Sequence, residues 1–265
     1  MRFSILSEQL RELSTRDYRR LGFRGNPAYS GLHRGDDVEV RIPREPLESI
    51  VKSMIDEYAN DENPRHIYLF SREGGAGKSH TNRLIVEYCG QKKKKNLPFI
   101  LWDNDEDIDN SVKAVRYLIH VADVNKVVLF HECDAPENLY AKLLSIENAY
   151  IIGHGHNPEE ELRGTSDSFK VFDIEEDYPL SHENIHQLLR EYIRKLTIRP
   201  ILRIPDEVFE RISKLTTIPG DALNMLGALL AVVAYKYKKG KKTQITDDDI
   251  LSCCNRRVVE ALSYY

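Results

Sequence analysis

The residues with the clearest chemical potential are Arg72-Glu73-Gly74-Gly75-Ala76-Gly77-Lys78-Ser79. Glycines reach backbone conformations that other residues avoid, so consecutive N–H groups can curl around an anion. A helix that begins at the lysine aims the positive end of its dipole at the same point. Lys78 would then reach the β- and γ-phosphates of a nucleotide, and the Ser79 hydroxyl would ligate Mg²⁺. Gly74, Gly75, Ala76, Gly77, Lys78, Ser79 and His80 form the expected phosphate-binding set. The spacing G-x-x-x-x-G-K-[ST] puts Arg72 where its first glycine would stand, so Gly74 and Gly75 must supply the flexibility. The alternative is a glycine-rich turn with an unrelated Lys-Ser.

Two further clusters fit the same chemistry. Val127-Val128-Leu129-Phe130 runs into His131-Glu132-Cys133-Asp134. In phosphate-transfer sites an acidic pair ends such a strand: one carboxylate helps hold Mg²⁺, and the other orients or deprotonates the attacking water. Glu132 suits the second role. His131 takes the first position, where a hard cation prefers oxygen, and Asp134 is the nearby candidate ligand. The alternative for Glu132 and Asp134 is a cap for the next helix. Tyr150-Ile151-Ile152 leads to Gly153-His154-Gly155-His156-Asn157. Asn157 would sit beside the γ-phosphate if this strand lies next to the strand before the glycine loop. His154 and His156 could pair on a metal only in an extended segment; as loop residues they need no ligand.

These groups need elements to hold them. Leu47, Ile50, Val51, Met54, Ile55 and Tyr58 recur at helical spacing, with Pro43 and Pro46 at the start. His66–Phe70 reads as a short buried strand running directly into the glycines. Leu97–Trp102, Val127–Phe130, Tyr150–Ile152 and Phe169–Ile174 read as four more. Ile108, Val112, Val115 and Ile119 mark a helix over residues 105–121. Alternating strands and helices predict an α/β fold with a mostly parallel five-stranded sheet. From residue 181 the pattern is helical only, over about 181–197, 205–215, 219–236 and 246–262. The expected division is a basic arm over 1–42, a nucleotide-binding α/β domain over 43–177 and a helical domain over 178–265.

Composition sets the outer limits. At 41% hydrophobic and 30% charged, the chain reads as soluble and globular. A net charge of −4 gives no global pull toward nucleic acid or anionic membrane. Locally, residues 1–44 hold nine Arg, no Lys and six acidic residues. The runs Lys92–Lys95 and Lys236–Lys242 are solvated loops or phosphate contacts. Four cysteines without metal spacing indicate inert thiols in a reducing compartment. No apolar run approaches the ~18 residues of a membrane span. Met1-Arg2-Phe3-Ser4 leads straight into polar sequence, so no signal peptide is expected. A cytoplasmic location follows.

The order of these motifs resembles the AAA+ ATPases. It is most similar to their initiator clade, the archaeal origin-recognition ATPases and related transposition regulators. Leu21-Gly22-Phe23-Arg24-Gly25-Asn26-Pro27 resembles the arm ahead of that clade's first helix. Pro43-Arg44-Glu45 resembles its opening motif, which helps frame the adenine pocket. Thr217-Ile218-Pro219-Gly220-Asp221-Ala222 resembles its lid signature. The resemblance covers roughly residues 20–262. It implies a three-layer α/β/α domain followed by a small helical lid, with ATP or ADP and Mg²⁺ between them. It further implies Pro43 and Arg44 at the nucleotide, Glu132 and Asn157 in catalysis, and Arg163 offered to a neighbouring subunit's γ-phosphate. The sequence departs at His131 and at Leu223-Asn224, where the family continues with an Arg. Both departures imply slow hydrolysis. The sequence ends at Tyr265, so the winged-helix domain of full initiators is expected to be missing. The implied function is an ATP switch that self-assembles into a ring, spiral or filament. Such a switch would hold DNA or a protein partner in replication, recombination or transposition. The alternative is a nucleotide-holding scaffold without turnover. A small-molecule kinase fits less well, because no acceptor site is recognisable and the C-terminal part is all helical.

Overall fold

The computed structural model describes residues 13–24, 40, 42–72, 74–91, 97–102, 108–131, 138–241 and 244–253. Along the chain, α1 is Thr15–Arg20, α2 is Glu45–Ala59, β1 is His66–Phe70 and α3 is Lys78–Gln91. Then come β2 (Phe99–Trp102), α4 (Ile108–Val121), β3 (Val127–His131), α5 (Leu139–Leu143), β4 (Ala149–Gly155) and α6 (Pro158–Glu161). Last are β5 (Phe169–Asp173), α7 (His182–Leu196), α8 (Asp206–Ser213), α9 (Pro219–Lys238) and α10 (Asp247–Cys253). These form two compact units, Pro43–Pro179 and Met1–Ile42 with Leu180–Tyr265.

The first unit is an α/β domain. Its five strands run in the order β2-β3-β4-β1-β5, all parallel. Helices cover both faces, so the strands are apolar throughout rather than alternating. On one face, Ile67, Leu69, Val128, Phe130, Tyr150 and Ile152 pack with Leu47, Val51 and Ile55 of α2 and Ile85 of α3. On the other, Tyr68, Leu129 and Ile151 pack with Val112 and Val115 of α4 and Leu139, Tyr140 and Leu143 of α5. Parallel strands bring all their carboxyl ends to one edge, where ligands of such sheets bind. The loops after β1, β3 and β4 therefore start side by side.

Strand β4 is longer than its apolar run predicts. It continues through Gly153-His154-Gly155, and all seven of its residues are buried. The two glycines explain this. A Cβ on Gly153 would stand 2.1 Å from the Tyr140 hydroxyl, and one on Gly155 would stand 2.0 Å from the Tyr68 hydroxyl. Glycine inside a strand here marks close approach, not a loop. The short helix α5 has no apolar period long enough to read. It starts after Asn138, whose φ of 66° lies in the left-handed region.

The second unit is helical. Helix α7 opens with Ser181 accepting from the Asn184 amide. Leu188, Leu189 and Tyr192 of α7, Val208 and Ile212 of α8, and Leu226, Leu230 and Val233 of α9 share one core. Tyr18, Leu21, Phe23, Val40 and Ile42 join that core. Gly22, at φ +97°, lets the chain pass under the carbonyl of Arg199, which a Cβ would meet at 1.9 Å. The last helix is described only to Cys253.

Candidate phosphate-binding site

The site is built on the turn from β1 to α3. Gly75 and Gly77 adopt positive φ, 79° and 99°, which only glycine takes without strain. Gly74 is exposed, and a Cβ there would meet nothing within 4 Å. Ala76 between them is buried against the core of the α/β domain. The Gly77 carbonyl accepts from the Thr81 amide at 2.9 Å and the Thr81 hydroxyl at 3.1 Å, which closes the first turn of α3. The positive end of the helix dipole thus begins at Lys78.

Lys78 is 7% exposed. Its Nζ donates to the Ser71 hydroxyl at 2.6 Å and lies 3.3 Å from Nδ1 and 3.4 Å from Nε2 of His156. His156 Nδ1 is also 3.0 Å from the Ser71 carbonyl. A carbonyl only accepts, so Nδ1 carries the proton and Nε2 is left to accept from the ammonium. The register explains the meeting. Phe70 pairs with Gly155, so Ser71 and His156 are the next residues along neighbouring strands.

The expected adjacency of β4 and β1 is thus present, but the side chain it brings to Lys78 belongs to His156. Asn157 stands one residue further and is exposed. Its amide group donates to Glu160 at 2.9 Å, and its backbone N–H donates to Glu161, because it opens α6. Arg163 is exposed just after α6, and among the described residues its guanidinium has no partner. His80 is half-buried in the first turn of α3. Glu132, Asp134 and the Ser79 side chain lie outside what is described.

Two more histidines flank the site. His154, on the face shared with Ile152, is buried, and its Nε2 has no hydrogen-bond partner among the described residues. Burial, assisted by His131, Lys78 and His156, pushes its pKa down to about 3, so it is neutral. His131 is 1% exposed and points to the opposite face. Its Nδ1 is 3.2 Å from the Tyr140 hydroxyl, and the two rings meet edge to face. The position expected to carry a metal-binding carboxylate is therefore occupied by an imidazole packed into an aromatic cluster.

Arg44 was expected beside a nucleotide base. It is buried, with its guanidinium against the loop at Ala76. It caps α2, its backbone N–H donates to Glu48 at 2.7 Å, and its guanidinium reaches the carbonyls of Ile174, Tyr178 and Ala76. Burial lowers its pKa to about 10, with Glu175 and Glu48 opposing, so it stays charged at neutral pH. Glu175 also accepts from the Arg72 amide at 3.1 Å. Pro43 precedes this cap. No sequence pattern marks Arg44 as a clamp; the signal is tertiary.

The residues present fit an anion of phosphate type. An open glycine, two glycines in left-handed conformation, a helix N-terminus and a buried ammonium converge on one loop. Among the described residues, which leave out Glu132, Asp134 and the Ser79 side chain, no group of three His, Cys, Asp or Glu forms a metal cage.

No family model and no curated protein matches the sequence. Solved structures do match in fold. The ADP form of the Aeropyrum pernix ORC2 protein is similar at TM-score 0.63 and 11% identity, over 89% of this chain and 73% of that one. The Aeropyrum pernix ORC1 protein in complex with DNA is similar at TM-score 0.57 and 14% identity, over 83% and 66%. The Thermotoga maritima RuvB Holliday junction branch migration motor is similar at TM-score 0.50 and 14% identity, over 79% and 67%. The α/β fold with its parallel five-stranded sheet, expected from the alternation of strands and helices, is the fold of this chain.

Proposed function

We propose that this chain binds ATP and ADP at the β1–α3 loop and uses the bound nucleotide as an assembly switch on DNA. The observation that carries the reading is Lys78, a buried ammonium at the start of a 14-residue helix behind two left-handed glycines. In this reading Lys78 turns from Ser71 and His156 to the β- and γ-phosphates. His156 then stands beside the γ-phosphate, the place first expected for Asn157. Mg²⁺, held by phosphate oxygens with Ser79 and Asp134, would supply charge neutralisation. Glu132 is the proposed water-orienting residue, and Arg163 is offered to a neighbouring copy.

Turnover is proposed to be slow. A buried imidazole bonded to Tyr140 stands where a carboxylate would help hold the metal, and that observation also supports the second reading, a nucleotide-holding scaffold without hydrolysis. The DNA role draws on the similar folds, one solved in complex with DNA and one a branch migration motor. Replication, recombination and transposition are its proposed settings, in the cytoplasm, as a homo-oligomer with a protein partner.

The test is ATP affinity with and without Mg²⁺ for the wild type and Lys78→Ala, with oligomer size followed in the same samples and DNA added next. The expected result is tight binding by the wild type, a loss of more than about a hundredfold in the variant, consistent with removing a charge-assisted contact, and size growth with ATP. Equal binding by both proteins would sink the assignment of the loop.

A further inference from the structure

We infer that Arg44 is a positioning residue of the phosphate loop rather than a contact to the nucleotide base. The inference rests on the proposed binding of polyphosphate at this loop, and it concerns what gives the loop its shape. A trans peptide unit points its C=O and its N–H in opposite directions. The Ala76 carbonyl and the Gly77 N–H belong to the same unit. Arg44 Nη2 donates to that carbonyl from the core side. Pinning the carbonyl inward therefore aims the Gly77 N–H outward, where an anion can reach it. Without the clamp, the carbonyl could rotate into the loop and present a negative dipole to the phosphate, because Gly77, one of the two residues flanking the unit, is free in φ.

The rest of the guanidinium is committed in the same way. Nη1 donates to the carbonyls of Ile174, at 2.6 Å, and Tyr178. Three of its five N–H groups thus go to backbone, and the residue is 7% exposed. Ile174 and Tyr178 follow β5, the strand on the far side of β1 from β4. Glu175, between them, holds the Arg72 amide at the other end of the loop. Arg44 and the residue 174–178 segment together form a buttress that grips the loop at both ends. A planar fork reaching three carbonyls is geometry that lysine cannot copy.

The experiment compares ATP with inorganic tripolyphosphate, which has no base or ribose. Both are titrated against the wild type, Arg44→Lys, Arg44→Gln and Lys78→Ala at 10 °C, and the melting temperature of each protein is measured. Arg44→Lys keeps the charge and most of the volume, so it serves if Arg44→Gln does not fold. The expected result is an equal loss, at least tenfold, for ATP and tripolyphosphate in the Arg44 variants. A loss confined to ATP would assign Arg44 to the base or ribose and overturn the inference. A lower melting temperature with unchanged affinities would make Arg44 a structural residue only and overturn it equally. A wild type that binds neither probe removes the nucleotide reading itself, an outcome separate from any behaviour of the Arg44 variants.

Discussion

On the loop side of the candidate site, the groups that matter are mostly backbone: the turn at Gly75 and Gly77, the opening of α3, and carbonyls held by Arg44. On the strand side, at the ends of β3 and β4, they are three histidines: His131 against Tyr140, His156 beside Lys78, and the buried His154. In the proposed reading the loop side receives a charge. It leaves space above Gly74 and keeps an ammonium in reserve. The strand side is packed to the point where a methyl group does not fit beside Tyr140. Under the proposed reading, anion capture and the chemistry that would follow it rest on separate parts of the molecule.

The sharpest way to break this contrast is a pair of glycine substitutions. Gly153→Ala places a Cβ against the buried Tyr140 ring, with contacts of 2.1 to 2.6 Å. We expect a loss of about 3 kcal/mol, at the upper end of overpacking. Gly74→Ala meets nothing and has no positive φ to lose. It should change stability by less than about 1 kcal/mol, in either direction. Urea denaturation of the two variants decides it. Equal costs would mean that the two sides are packed alike.

Acid sharpens the comparison next. Burial lowers His66 from 6.5 to about 4, and His154 to about 3. Below pH 6.5 the unfolded chain takes up protons that the folded α/β domain refuses. The unfolded state then binds more protons, so stability falls as pH falls. The loss runs from about pH 6.5 to 4 for His66 and onward to about 3 for His154. For His66 alone it is roughly 3 kcal/mol. His66→Asn should flatten the first part of that slope in urea midpoints measured across pH. An unchanged slope would mean that the ring is solvated.

Much of this was legible because it is local. A strand, four residues with three glycines, a lysine and a helix are adjacent in sequence, so residue type and spacing carry the loop. The five strands were legible from short apolar runs, since a sheet covered on both faces needs no alternation. What escaped depends on register and on distant partners. Gly153-His154-Gly155 looks like a loop until Tyr68 and Tyr140 fill the space their missing side chains leave. Which side chain of the segment after β4 lies beside Lys78 turns on one residue of strand length, and the pairing of Phe70 with Gly155 brings His156 there. Arg44 is expected as a ligand because its short motif resembles one; its bonds to carbonyls 32 and 130 residues away could not be read from the sequence.

The smallest expected effect is the most specific to the comparison. If the loop side captures the anion and the strand side only tunes it, His156→Ala should matter far less than Lys78→Ala. His156 offers Lys78 one acceptor, while Ser71 offers a shorter bond at 2.6 Å. One hydrogen bond of net value about 0.5–1.5 kcal/mol corresponds to a two- to tenfold change in affinity. Its sign is informative. Loss of the imidazole frees Lys78 for phosphate and favours binding, whereas loss of a contact to the γ-phosphate disfavours it. Comparing ATP with ADP separates the two: a change for both nucleotides reports on Lys78, and a change for ATP alone reports on the γ-phosphate. A loss as large as that of Lys78→Ala would mean that the strand side takes part in capture, and the division drawn between the two sides would fail.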